Sequence, residues 1–368
     1  MPYYKPIKRV KDQEERVRIA EKLLTLRSQL DDEIPQKTAT ETLLLATWNI
    51  REFGDNRRTE SLHFIAEIIS RFDLVAVQEV ARQLDGIVKL MSYLGPTWDY
   101  IVTDSSEGTA GGGERMAFIY DKCKVRFKNI AGELVLQQTN LIKANKKVNN
   151  KVTDMIEHLQ FARTPFCVAF QAGWFQFNLA TVHIYYGSAT DTQIEERRLK
   201  EIEKAVDFLS KRANDEGISY ILLGDFNIPN CKTDYMKALQ KKKFFVPDAI
   251  KVHPSNIGKS KHYDQIAFNI KLEDDMDIFD KKNQKAGAFD FTKSVYTIDD
   301  FTIYRPFFSE NALMIKDSKT KVLRLKTEEE LKKYYLSDYR TFEMSDHLPL
   351  WVELKIDFSN QYLKGLSV

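Results

Sequence analysis

No apolar run in this 368-residue chain approaches the roughly 20 residues that a membrane-spanning helix requires. Cysteine is scarce. Cys123, Cys167 and Cys231 lie far apart, and no C-x-x-C occurs. An odd, sparse set of thiols excludes a disulfide-stapled fold and fits a reducing compartment. Charge of one sign is missing as well: Lys and Arg number 55 against 53 Asp and Glu, a net charge of +2. Such a chain has no overall basic field of the kind that coats nucleic acid in bulk. The first residues, MPYYKPIKRVKDQEERVRIAEKL, hold no uncharged core, which predicts a chain without a secretory leader. These absences together predict a cytoplasmic protein. What is present is ordinary for a globular chain, 43% hydrophobic and 29% charged residues. That composition buries a sizeable core and excludes a disordered tail.

Length alone gives roughly two domains, or one large α/β domain with insertions. Repeats and low-complexity linkers are lacking, which favours one domain with elaborations. Residues 1–40 are polar and read as an N-terminal helical extension. Within it, Val17, Ala20, Leu23, Leu24 and Leu30 fall near helical spacing over 12–30, an amphipathic helix packed on the outside. Residues 41–358 read as the main domain, with insertions near 137–163 and 270–342. Buried strands are predicted at 43–48, 74–77, 220–223, 266–268 and 350–354. Further strands are expected near 98–103, 115–120, 125–136 and 166–183. Helices are expected over 59–71, 82–94, 191–212 and 327–335. Continuous apolar strands imply sheets covered on both faces, and consecutive strands over 115–183 imply antiparallel pairing. The sum is a layered α/β sandwich.

The informative residues are polar ones at the ends of apolar strands. Asn49 follows LLLATW, Glu79 follows DLVAVQ, and His183 follows FNLATV. Asp225 and Asn227 follow YILLG, Asp264 precedes QIAF, and Asp346 and His347 precede LPLWVEL. Each alone has a plain reading as a turn residue or a satisfied core histidine. Eight such positions together are hard to explain as turns, because charge at the end of a buried strand is costly unless paired, metal-bound or facing a cleft. Amide and carboxylate oxygens are hard ligands that favour Mg²⁺, Mn²⁺ or Ca²⁺. There is no zinc ligand spacing and no H-E-x-x-H. Two histidines with acidic partners suit proton transfer near neutral pH. Oxygen-bound metal with acid/base histidines is the equipment of phosphoester hydrolysis.

The ordered series TWN (47–49), QE (78–79), ER (114–115), VH (182–183), GDFN (224–227), YDQI (263–266) and SDH (345–347) resembles the endonuclease/exonuclease/phosphatase superfamily. The resemblance runs from about residue 43 to 356. It implies the deoxyribonuclease-I-like four-layered α/β sandwich, two packed mixed sheets flanked by helices. It also implies roles. Glu79 is the principal metal ligand, with Asn49 and Asp346 near the same ion or phosphate. Asp225 and Asn227 orient the phosphate or hold a second metal. His183 and His347 flank the scissile phosphate as acid and base, in an order the sequence leaves open. Glu114 orients His183, and Asp264 orients His347. The pair His183/Glu114 and the segment FARTPF resemble the deoxyribonuclease I branch, where such an arginine faces phosphate. That makes Arg163 a substrate contact, with Arg115 of the E-R motif as a second; Tyr185 and Tyr186, directly after His183, either line the cleft as stacking platforms or simply close the sheet.

The implied activity is a Mg²⁺-dependent phosphodiesterase, foremost a nuclease with nucleic acid, DNA first, as substrate. The alternative is a phosphatase or phosphodiesterase for an inositol phosphate, a lipid head group or a small nucleotide. A catalytically silent binding module is the weakest reading, since no metal or histidine position is lost. Lys122, Lys124, Arg126 and Lys128 alternate along an expected strand, giving either a track for a nucleic-acid backbone or a solvated face. Lys143, Lys146, Lys147, Lys151 and Lys241–Lys243 admit the same two readings. Thr109–Gly113 is either a hairpin or a phosphate-approach loop. The aromatic stretch 289–308 is either a lid or a packed accessory β-element.

Overall fold

A computed structural model of the chain describes residues 2–367 except 107–111, 149–150, 187–191, 273–276, 281–283 and 318–320. In chain order the strands of the main body are β1 (Thr42–Phe53), β2 (Leu74–Val80), β3 (Trp98–Val102), β4 (Arg115–Asp121) and β5 (Val125–Glu133). A hairpin of β6 (Ile142–Val148) and β7 (Lys151–Leu159) follows. Then come β8 (Phe166–Ala172), β9 (Phe175–His183), β10 (Ser219–Asp225), β11 (Asp264–Asn269), β12 (Ala286–Ala288), the short pair β13 (Met314–Lys316) and β14 (Leu323–Leu325), and β15 (Leu350–Lys355). The first sheet has the order β12-β15-β1-β2-β4-β3 and the second β11-β10-β9-β8-β5. Helices α1 (Gln13–Glu33), α2 (Thr59–Ser70) and α3 (Asp85–Leu94) cover the outer face of the first sheet, and α4 (Thr192–Glu216) covers the second. This is the four-layered sandwich.

The period of two along each strand explains the layering. Leu43, Leu45, Leu74, Ala76 and Phe118 point into the core between the sheets. Their neighbours Leu44, Ala46, Val75, Val77 and Ala117 point into the second core beneath α1–α3. Both faces are dry, so the strands read as continuous apolar runs. A polar pin crosses the inter-sheet core: Gln78 Nε2 donates to Thr181 Oγ1 at 2.8 Å.

Several sequence expectations change. The side chain of Asp12 accepts from the Glu14 and Glu15 N–H groups and starts α1. Its buried stripe, however, is Ile19, Leu23, Leu26 and Leu30, while Val17 and Leu24 are 49% and 67% exposed. The 166–183 run is two strands, β8 and β9, turning at Gly173, whose φ is +54°. A Cβ there would sit 2.8 Å from the Ile356 carbonyl oxygen. Residues 137–163 form the β6–β7 hairpin. The 270–342 region adds β12 to the edge of the first sheet and short helices against α1 and α2. Its rings Tyr296, Phe301, Tyr304, Tyr335 and Tyr339 are buried. It is a packed accessory layer, mostly helical, and 289–308 is no lid. Ser61 Oγ, on α2, joins this layer through Tyr296 Oη at 2.6 Å and Glu343 Oε2 at 2.5 Å.

Candidate active site

Topology brings the polar strand ends to one edge. β1 and β2 are parallel, as are β9 and β10, so Asn49, Glu79, His183 and Asp225 all lie where those strands finish. β4, β11 and β15 run antiparallel to these neighbours, so Glu114, Asp264 and His347 lie where they begin. In the second sheet Asp225 is in register with His183 on one side and Asp264 on the other. The first sheet contributes Asn49, Glu79, Glu114 and His347. Loops beyond carboxyl ends of parallel strands are where α/β folds place ligands.

Local backbone strain aims these groups. Glu79 and Asn227 have φ of +59° and +55°, the left-handed region that non-glycine residues rarely occupy. Pairing of β1 with β2 breaks step between Asn49 and Phe53, and that of β2 with β4 between Val77 and Val80. The irregularities lift Glu79 out of the alternating pattern. Gly224, φ +132°, precedes Asp225, and a Cβ there would lie 2.1 Å from the Val182 carbonyl oxygen. Only glycine lets β9 and β10 meet this closely.

Asn49 is the hub. It is 1% exposed, and its Nδ2 donates to Glu79 Oε1 at 2.9 Å and to Asp225 Oδ2 at 3.1 Å. The Glu52 N–H donates to Glu79 Oε2 at 3.0 Å. His183 Nδ1 lies 2.9 Å from Glu114 Oε2, and His347 Nδ1 lies 2.7 Å from Asp264 Oδ2. The other nitrogens converge: Asp225 Oδ2 is 3.6 Å from His183 Nε2 and 3.8 Å from His347 Nε2. Burial alone would lower both imidazole pKa values. The Glu114 carboxylate overcomes it at His183, and Asp264 with Asp225 overcomes it more strongly at His347, so both stand above the ordinary value. Burial acts to raise Glu79, but the histidines, Asn49 and the Glu52 N–H hold its carboxyl below the usual range.

Two triads have ligand atoms within 4.8 Å of one another, Glu79–Glu114–His183 and Asp225–Asp264–His347. In each, one carboxylate is already engaged with its histidine. The carboxylates not bonded to a histidine Nδ1 are those of Glu79 and Asp225, and beside them Asn49 Oδ1 and Asp264 Oδ1 are buried without a hydrogen-bond partner. This all-oxygen set fits a hard divalent cation.

Other expected site residues fall differently. Asp346 is exposed and its carboxylate belongs to neither triad. Arg115 is turned away from the triads. It donates to the carbonyls of Arg82 and Thr103 at 3.0 and 2.7 Å, and braces the rim. Arg163 is ion-paired through Nε with Glu114, while its buried Nη1 has no partner. Tyr185 is half-buried beneath the Arg197 guanidinium, 5.3 Å from the ring centroid. Of the four alternating cations only Arg126 and Lys128 lie on a strand, β5, so the expected track is broken. Lys122 and Lys124 lie in the turn after β4, at the end opposite Glu114, and seven strand residues span roughly 20 Å. The Lys124 side chain is tucked in there, 7% exposed, with its ammonium 2.8 Å from Asp73 Oδ2 and 2.7 Å from the Thr38 carbonyl oxygen. Residues Thr109–Gly111 and the side chains of Lys146, Lys147 and Lys151 lie outside the described residues.

Sequence reasoning passed over Ser345 and Ser255. Ser345 Oγ donates to the Asn49 carbonyl oxygen at 2.5 Å and accepts the His347 N–H at 2.8 Å. Ser255 Oγ accepts the Asp264 N–H at 2.9 Å. The available signal for Ser345 was its place two residues before His347, where a hydroxyl can close an ST turn.

No family model and no curated protein matches the chain. Solved structures do. An endonuclease/exonuclease/phosphatase family protein from Bacteroides thetaiotaomicron matches at 16% identity and TM-score 0.50, over 86% of this chain and 98% of that one. A mannosyl-6-phosphatase of the same organism matches at 16% and 0.49, over 85% and 99%. The human nocturnin catalytic domain matches at 14% and 0.46, over 85% and 94%. At such identities a likeness speaks for the fold and leaves the substrate open. The chain has the deoxyribonuclease-I-like fold of the endonuclease/exonuclease/phosphatase proteins.

Proposed function

We propose that the protein is a divalent-metal-dependent phosphoester hydrolase. The observation that carries this reading is the convergence of two carboxylate-backed histidines, through their Nε2 atoms, on Asp225 Oδ2. Glu79, Asn49 Oδ1 and Asp225 would hold the cation, with Mg²⁺ foremost and Mn²⁺ or Ca²⁺ as alternatives. When bound, such an ion neutralises charge on the phosphoryl oxygens and polarises the ester. Glu114 and Asp264 each fix a tautomer by engaging Nδ1 and leave Nε2 to handle a proton. One histidine takes a proton from the attacking water, and the other delivers one to the leaving oxygen. Asn227, whose N–H donates to Asp225 Oδ1 at 2.8 Å, holds Asp225 between them.

For the substrate, the reading is a nucleic-acid phosphodiester. Arg163 supports it, with a buried Nη1 free beside Glu114. Tyr186, 40% exposed and next to the half-buried Tyr185, offers a surface on which a base can stack. The lost lysine track removes one support and leaves the small phosphoesters as the rival class. The test is a panel of supercoiled plasmid, linear DNA, RNA, inositol phosphates and nucleotides, each with Mg²⁺ and with EDTA. Metal-dependent cleavage of a polynucleotide is expected. Turnover of a small phosphomonoester with every polynucleotide intact overturns the nuclease reading. Full activity in EDTA overturns the metal.

A further inference from the structure

One turn of α4 buries charge where an amphipathic helix should bury apolar groups. Arg198 is 4% exposed and Glu201 is fully buried. The Arg198 guanidinium reaches two separate chain segments. Its Nη1 donates to the Asn227 carbonyl oxygen at 3.2 Å, just past Asp225. Its Nε donates to the Tyr185 carbonyl oxygen at 3.4 Å, and its Nη2 to that of Tyr186, just past His183. The rings of Tyr186 and Tyr235 flank it, 4.8 and 5.3 Å from the guanidinium carbon. Among the described residues no carboxylate lies within ion-pair distance of it. A buried cation satisfied only by carbonyls and rings is costly as a purely structural device.

The two segments leave the β9–β10 ladder just past its last pair, His183 with Asp225. Ile184 N–H donates to the Asp225 carbonyl oxygen at 2.8 Å, and Asn227 Nδ2 donates to the Ile184 carbonyl oxygen at 2.7 Å. The left-handed Asn227 is held further by its own N–H to Asp225 Oδ1 and, at its carbonyl, by the Arg198 fork. The adjacent residues extend the same support. Arg197 pairs with Glu201 at 3.0 Å, and Glu201 Oε1 accepts the Ala162 N–H at 3.1 Å, next to Arg163. Arg163 pairs with Glu114, which pairs with His183.

We infer that Arg198 is a positioning residue for the hydrolytic site. It fixes the path of the chain just after the His183–Asp225 pair, and through Asn227 the aim of the Asp225 carboxylate between the two histidines, an inference that rests on the phosphoesterase reading of that site. The planar fork with several donors is the property used. A lysine keeps the charge but has a single ammonium that cannot span the same carbonyls. The expected effect is therefore on turnover more than on substrate capture.

The test uses the full chain with bis(p-nitrophenyl) phosphate, in Mg²⁺ and in Mn²⁺. Arg198→Lys should lower kcat by about 10–100-fold, the usual cost of losing an orienting partner, with KM nearly unchanged. Guanidinium at non-denaturing concentration should restore part of the activity of Arg198→Ala, and methylammonium should not. A second readout needs no substrate. The imidazole proton resonance of His183, assigned by its loss in His183→Asn, should shift in Arg198→Lys. If Arg198→Ala does not fold, Arg198→Lys and the resonance decide. A kcat within twofold of wild type together with an unmoved resonance overturns the inference. A wild-type protein inert with both metals, but with a resonance that shifts in Arg198→Lys, overturns the phosphoesterase reading and keeps the positioning role.

Discussion

His63 should make the fold sensitive to acid. It lies on α2, fully buried, with its ring stacked on Tyr93 of α3 at 4.0 Å between centroids. Neither ring nitrogen has a hydrogen-bond partner. Burial, helped by the charge of Lys89, lowers its pKa from 6.5 to about 4. The unfolded chain therefore binds a proton near pH 6.5 that the folded chain refuses until about pH 4. Stability is complete above the unfolded value and is lost as pH falls through this window. Between about pH 7.5 and pH 4.5 the loss works out at about 2.5 kcal/mol. That is a large share of a typical folding free energy of roughly 5–15 kcal/mol. His63→Phe keeps the stack and removes the titration. Urea denaturation of both proteins at the two pH values measures the difference, since other titrating groups are common to both. Wild type should lose about 2.5 kcal/mol more than His63→Phe over the interval. Equal losses would refute the reasoning. The variant has a further use, because α2 backs the strands that carry Asn49 and Glu79. A fall in activity with acid that persists in His63→Phe belongs to the site and not to unfolding.

Glu79→Gln keeps shape and removes charge, so Mg²⁺ affinity by calorimetry and turnover should both fall while the melting temperature holds; unchanged metal affinity would count against Glu79 as ligand. Glu114 and Asp264 hold their histidines above the ordinary pKa, so Glu114→Gln or Asp264→Asn should move the limb of the pH–rate profile governed by that histidine to lower pH. The loss of rate should be smaller than the roughly 10²–10⁴-fold expected for removing the histidine itself, and a profile unmoved in both variants contradicts the pairing. Lys124→Met should cost on the order of 1.5–3 kcal/mol by losing a charged hydrogen bond to fully buried Asp73. It should leave kcat per folded molecule unchanged on DNA and on a small ester alike, whereas selective loss on DNA would revive the lysine track.

Much of this site could be read from one local rule, polar residues at the ends of dry strands. The rule works because burial on both faces makes each exception expensive, and Asn49, Glu79, His183, Asp225, Asp264 and His347 are all such exceptions. It fails where the deciding contact is remote in sequence. Lys124 alternates properly for a strand, yet it lies in a turn, where Asp73 and Thr38, far away along the chain, draw its ammonium inward. Asp346 shares a motif with His347 but points outward, because the chain turns between them. The stripe of α1 was misread because Val17 and Leu24 are as apolar as Ile19 and Leu26, and only packing on α2 chooses between them. The single run 166–183 concealed a hairpin, since Ala172–Phe175 looks no more like a turn than like a strand. Arg198 gave no signal, being one more cation on a charged helix.

The first sheet closes only when β15 slips between β12 and β1, pairing Thr42 with Lys355 and Thr47 with Leu350. These partners lie roughly 300 residues apart in the chain, and such distant pairings form late because loop-closure entropy opposes them. His347 sits at the threshold of that strand. During synthesis, the chain can lay down the second sheet and the His183–Glu114 pair long before His347 has left the ribosome. The nascent chain therefore holds an incomplete site until its last strand is in place. Its second histidine arrives with the strand that completes the fold.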